Sequence, residues 1–239
     1  MVEQTGREIN KAERLEIAPG LWLDYRRAAY LERERVLCVS DLHLGYTWAH
    51  RYHGQLMPVH APDKLLERLL DLCADYQPQT FAFLGDIVHQ AVPVSAIRDE
   101  FASLVAGLKS KCGVQLILGN HDRKLRELMG NDLELLESYE AGRYLLVHGN
   151  ESLQCKENAF IIMGHEHPAI SLGDGVSSAK FPCFMVSANL LILPAFSAWA
   201  AGSDIRYHDF MSPLARNTQF EKAVAILGRK LLPIRLAQG

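Results

Sequence analysis

The sequence predicts a layered α/β fold, and three observations carry that reading. Short apolar runs end abruptly in polar, glycine-bearing clusters, five times over. Helical stripes lie between the first three of these runs. Paired apolar segments flank them, with the length and spacing of strand hairpins.

In chain order, residues 21–25 and 28–31 read as a hairpin. Residues 36–39 form a buried strand that runs into Ser40-Asp41-Leu42-His43. Residues 62–76 place Leu65, Leu66, Leu69, Leu70 and Cys73 on one helical stripe, with Pro62 in the first turn. Residues 81–84 lead into Gly85-Asp86. Ser95 is placed to cap a second helix, which carries Ile97, Phe101, Leu104, Val105 and Leu108. Residues 114–118 lead into Gly119-Asn120-His121-Asp122, and a short helix over 122–129 stops at Gly130. Residues 144–147 lead into His148-Gly149-Asn150, and 160–163 into Gly164-His165-Glu166-His167. A second hairpin spans 183–186 and 190–193, and a final helix is expected over 218–230. Both hairpins suit a second sheet packed on the first. No repeat or linker marks a boundary, so 1–239 reads as one domain with its motif core at 36–168.

Composition narrows the class. The chain has 239 residues, 49% hydrophobic and 22% charged, which argues against disorder and coiled coil. Its net charge of −3 gives no global basic field, yet metal ions supply positive charge locally, so a nuclease is not excluded. The five cysteines are scattered without a C-x-x-C pair and read as buried free thiols. The polar N-terminus lacks an apolar signal core, and Asn189 and Pro194 break the most apolar stretch, which reads as strands rather than a membrane span. A soluble, cytoplasmic protein with no membrane partner is expected.

The clusters supply chemistry. Asp41, His43, Asp86, Asn120, His148, His165 and His167 are oxygen and nitrogen ligands, with no sulfur among them. That set suits manganese, with iron, zinc and magnesium as alternatives, and is too large for one tetrahedral zinc. It suits two divalent ions bridged by Asp86, a clamp for phosphoryl transfer. Four positive charges meet Asp41, Asp86 and a bridging hydroxide, leaving one positive charge for a phosphate ester. The hydroxide would attack phosphorus in line with the leaving oxygen. His121 would protonate that oxygen, with Asp122 orienting its imidazole or capping the following helix.

In this order, D-L-H, G-D, G-N-H-D, a lone H-G and G-H-E-H resemble the calcineurin-like metallophosphoesterase superfamily. The resemblance implies a four-layer α-β-β-α sandwich of two mixed sheets flanked by helices. It implies Asp41, His43, Asp86 and His167 on one metal, and Asp86, Asn120, His148 and His165 on the other, with His121 as the acid. The run from Asp41 to Tyr46, with Leu193-Pro194-Ala195-Phe196-Ser197, is similar to bacterial and archaeal phosphoesterases related to recombination-repair nucleases, and to the DNA-ligase-associated group. A phosphodiester in nucleic acid or a nucleotide is therefore expected as substrate. A phosphomonoester, or a catalytically silent scaffold for protein partners, is the alternative. A homo-oligomer stays open, and a DNA-repair partner is implied by the resemblance alone.

Three residues outside the ligand set are candidates for substrate contact. The connection 46–61 is long and carries Arg51 and His53 next to the first ligand pair, so it reads either as a substrate-facing loop or as a surface or subunit-contact loop. Arg123, with Lys124 and Arg126, follows the acid loop and reads as a backbone contact or a solvated helix face. Glu166 is expected to face solvent or a partner behind the ligands.

Overall fold

The short central strands of the first sheet are buried on both faces. In β4 (Val36–Val39), Leu37 and Val39 meet the helices while Val36 and Cys38 meet the other sheet. β5 (Thr80–Leu84) alternates the same way, with Phe81 and Phe83 on one side and Ala82 and Leu84 on the other. The computed structural model describes residues 13–57, 65–130, 133–153, 159–173, 177–207 and 209–236.

β1 (Arg14–Ala18), β2 (Leu21–Asp24) and β3 (Ala28–Leu31) run antiparallel into β4. β5 and β6 (Gly113–Ile117) continue parallel to β4, completing a six-stranded mixed sheet. The N-terminal hairpin thus extends the first sheet and not the second, contrary to expectation. The turn Glu32–Arg35, closed by Arg35 N–H on the Glu32 carbonyl, is too short to carry the chain across to another sheet.

The second sheet holds β7 (Ser138–Ala141), β8 (Tyr144–Val147), β9 (Phe160–Met163), β10 (Pro168–Gly173), β11 (Ser178–Val186), β12 (Leu190–Ile192) and β13 (Ser203–Asp204). β8, β9 and β12 are mutually parallel neighbours, so this sheet is mixed as well. β11 and β12 form the expected second hairpin. The predicted helix over 218–230 is instead the hairpin β14 (Lys222–Leu227) and β15 (Lys230–Arg235), paired through β11. Period-two burial decides it: Val224 and Ile226 enter the core between the sheets, while Ala223 and Ala225 face the opposite side. Gly228, at φ 60°, makes the turn. Pro233 is tolerated because β15 pairs only with β14.

α1 (Tyr46–Tyr52) lies in the segment 46–61 that was read as a long connecting loop. α2 (Leu65–Tyr76) and α3 (Ser95–Lys109) cover the first sheet. Leu69, Leu72, Cys73 and Tyr76 form the buried stripe of α2, while Leu66 and Leu70 are only half buried; Pro62 lies outside the described residues. Each such buried Leu contributes roughly 1.5–3 kcal/mol. Val94, not Ser95, occupies the N-cap of α3 and makes no side-chain cap bond. The predicted helix 122–129 splits into a 3-10 turn, Asn120–Lys124, and α4 (Leu125–Met129), which ends at Gly130 as expected. Beyond the second sheet, Ala215 and Phe220 from the segment 203–220 cover Ile161, Met163 and Met185. The architecture is an α/β fold of two mixed sheets flanked by helices. Cys38, Cys73 and Cys183 are buried free thiols and Cys112 is half-buried; Cys155 lies outside the described residues. Among the described residues, no helix is long and apolar enough to cross a membrane.

Candidate metal centre

The five polar clusters emerge at the carboxyl ends of β4, β5, β6, β8 and β9 and meet along one edge of the two sheets. The first two loops stay paired beyond their strands. His43 N–H donates to the Asp86 carbonyl, Leu44 N–H to Ile87, and His89 N–H to Leu44. The backbone is bent hard to aim the side chains. Of eight non-glycine residues with positive φ among the described residues, five are expected ligands: Asp41 (55°), His43 (48°), Asp86 (48°), His165 (70°) and His167 (46°). Each such conformation costs on the order of 1–3 kcal/mol, and the surrounding packing holds it in place.

Among the described residues His43, His89 and His121 cluster, and two further donor groups result, with the atoms of each group within 4.8 Å of one another. One contains Asp41, His43, Asp86 and His167; the other contains Asp86, His148 and His165. Asp86 belongs to both. Asn120 joins the second through its side-chain oxygen, 3.1 Å from His148 Nε2. Facing nitrogens are close: His43 Nε2 and His167 Nε2 at 3.3 Å, His148 Nε2 and His165 Nδ1 at 3.1 Å. All seven expected ligands therefore converge, and Asp41, His43, Asp86 and His148 are buried.

The donor chemistry fits divalent ions. His148 donates Nδ1–H to the Leu84 carbonyl at 2.9 Å, which leaves the Nε2 lone pair facing Asp86 and Asn120. Burial drives His43 down to about 3 despite Asp41, and lowers His165 with help from His148, so both rings are neutral and able to coordinate. Burial opposes ionisation of Asp41, yet His167, His148 and His43 together outweigh it and hold the carboxyl well below the ordinary range. His167 is raised in turn; burial disfavours its charge, but Asp41 Oδ1 lies 3.2 Å away. A buried ring nitrogen of His43 has no hydrogen-bond partner among the described residues.

His121 stands beside this centre, its side chain 40% exposed and its Nε2 3.9 Å from Asp86 Oδ2. Its imidazole is not oriented by Asp122, as was expected, but by the carbonyl of His89, which accepts Nδ1–H at 2.7 Å. The buried Asp122 carboxylate accepts backbone N–H groups from Gly119 (2.9 Å), Val88 (3.1 Å) and Ile87 (3.2 Å) instead. It sits at the third position of the 3-10 turn, not at its N-cap, and closes that turn onto Gly119. Burial lifts its carboxyl to about 6, against the pull of those donors. Its role is to tie the Asn120–His121 loop to the Asp86 loop.

Glu166, expected toward solvent or a partner, is buried and accepts the N–H groups of Met211 (3.2 Å) and Ser212 (2.5 Å). Arg51 is exposed on α1, its guanidinium over the Trp48 ring and 3.4 Å from the Met57 carbonyl. His53 ends α1 and meets Gln90 Oε1 at 3.1 Å. Arg123 borders a cavity that Asn120 and His148 also line.

Sequence reasoning missed His89, Tyr46 and Trp199. His89 packs against His43, His50 and His121, and Tyr46 stacks on Trp199 with ring centroids 5.4 Å apart. Burial lowers His89 to about 4, with help from His121 and His50, which keeps the His89 ring uncharged. The position of His89 three residues beyond Asp86 was the one available signal.

A family model described as calcineurin-like phosphoesterase matches residues 34–179, a span that holds all five loops. Among solved structures, nuclease MPE from Pseudomonas putida is 24% identical, over 92% of this chain and 98% of that one, with a TM-score of 0.68. The phosphoesterase Yfce from E. coli is 12% identical, over 84% of this chain and 99% of that one, with a TM-score of 0.42. No curated protein sequence matches. Two donor groups sharing one carboxylate, within a match covering more than half of the chain, support a dinuclear metal phosphoesterase mechanism, and the chain belongs to the calcineurin-like phosphoesterase family.

Proposed function

We propose that the protein hydrolyses phosphodiesters of nucleic acid or nucleotides with two divalent ions, manganese foremost. The observation that carries the reading is the sharing of Asp86 between two donor groups. Asp41, His43, Asp86 and His167 would hold one ion, and Asp86, Asn120, His148 and His165 the other. Divalent ions bound there supply a more acidic water and neutralise charge on the phosphoryl oxygens. Asp41 and Asp86 contribute only two negative charges against four positive ones, and neutral Asn120 preserves the surplus that attracts a diester anion. His121 presents Nε2 to the leaving oxygen, because Nδ1–H is committed to His89. In its imidazolium form it gives up the Nε2 proton as the P–O bond breaks. Asp122 positions this loop without reacting. Arg123 is the substrate contact of the three candidates, because it lines a cavity with Asn120 and His148 while Arg51 and His53 are engaged with Met57 and Gln90. The fold likeness to the Pseudomonas putida nuclease supports a polynucleotide over a small ester.

The test is hydrolysis of bis(p-nitrophenyl) phosphate and of single-stranded and duplex DNA with added manganese. Activity that chelation abolishes and that Asp86→Asn reduces to background is expected. The KM for DNA should rise steeply with salt. Wild-type rates no higher than those of Asp86→Asn would overturn the reading.

A further inference from the structure

A cavity of about 230 Å³ opens beside the second donor group, with Asn120 and His148 in its inner wall. It is smaller than the roughly 300–1,000 Å³ of drug-sized sites, which limits its occupant to about one nucleoside unit. Its lining includes the buried side chains of Leu135 and Val147. Arg123 and Arg126, about one turn apart, stand exposed on its wall, and among the described residues neither has an ion pair. Glu137, Glu151 and the buried Asp122 line it too, so its acidic side chains outnumber its two arginines by one.

That balance disfavours a bare anion as occupant. An apolar patch in the lining, with both donors and acceptors around it, matches a flat, neutral, polar-edged group. We propose that this cavity seats the nucleoside next to the scissile phosphate, which deepens the phosphodiesterase reading and rests on it. A guanidinium stacks on a base face. The Asn150 amide and the Glu151 carboxylate, joined by a 3.4 Å hydrogen bond, offer a donor and acceptors to the base edge. The shared wall of Asn120 and His148 sets the phosphate of that nucleoside over the donor groups.

Two measurements test this. In metal-free protein, the methyl NMR signals of Leu135 and Val147 should shift saturably with adenosine or thymidine 5′-monophosphate and not with methyl phosphate. Asn150→Trp, which places an indole in the lining of the cavity, should remove those shifts. With manganese, the p-nitrophenyl ester of thymidine 5′-monophosphate should exceed methyl p-nitrophenyl phosphate in kcat/KM by about tenfold. That ratio should approach one in Asn150→Trp and fall in Arg126→Ala. A wild-type ratio near one, or methyl signals blind to nucleotides, overturns the proposal. Nucleotide shifts in a protein that hydrolyses neither ester support the subsite while sinking the phosphodiesterase reading.

Discussion

The imidazole of His121 is fixed by the backbone carbonyl of His89, which accepts its Nδ1–H at 2.7 Å. A carbonyl only accepts, so the tautomer is determined and Nε2 is the atom free for proton transfer. His121→Ala should therefore slow esters of poor leaving groups most. For alkyl or nucleoside leaving groups the loss should be about 10²–10⁴-fold. For p-nitrophenolate, which departs without a proton, it should be small. A leaving-group series read as a Brønsted plot checks this, and equal losses across the series would make His121 a binding residue.

Asp122 joins two loops by accepting three backbone N–H groups, from Gly119, Ile87 and Val88. Asp122→Ala strands these buried donors, at about 1–3 kcal/mol for a group left without a partner. Urea denaturation should show that loss. Metal content by elemental analysis should fall with it, because Asn120 and Asp86 no longer hold their spacing. A variant with wild-type stability and full metal content would show the tie to be dispensable.

These two contacts mark how far the sequence was legible. The ligand loops could be read because Val39, Leu84 and Met163 end wholly apolar strands, against which the polar residues that follow stand out although Ser40, Asp41 and Asp86 stay buried. Two of the three partners of Asp122, Ile87 and Val88, lie about 35 residues upstream, and no local pattern announces them. The wall of Tyr46, His89 and Trp199 forms only because Leu44 pairs with Val88 beyond the strands, a long-range event. Residues 222–227 were misread because a short apolar run carries no helix or strand period of its own, and burial on two faces decided the matter.

Metal ions that bind the folded chain and not the unfolded one raise its stability by mass action. The donors come from five separate loops, so the site exists only when both sheets are packed. Manganese at a hundredfold excess over its Kd should add about 2.7 kcal/mol per site and raise Tm. Asp86→Asn should lose most of this response at both sites, since Asp86 belongs to both groups. His167→Ala should leave the second group's share. Differential scanning calorimetry with and without chelator separates the cases, and a full response in Asp86→Asn would contradict the shared carboxylate.

Gly164 lies where the second sheet crosses the first ligand loop. A Cβ there would run into Ser40 Oγ and the Asp41 carboxylate. The φ at Gly164 is not positive, so the demand is for space alone. Ser40 also donates its hydroxyl to Asp41, and His165 N–H reaches the same carboxylate at 3.2 Å, so any retreat of Ser40 moves Asp41. Gly164→Ala should therefore lower the occupancy of the first metal group far more than it lowers global stability. Ser40→Gly in the same chain removes part of the obstruction and should restore part of the metal content. Occupancy equal to wild type in Gly164→Ala alone would mean that the loops give way without disturbing Asp41.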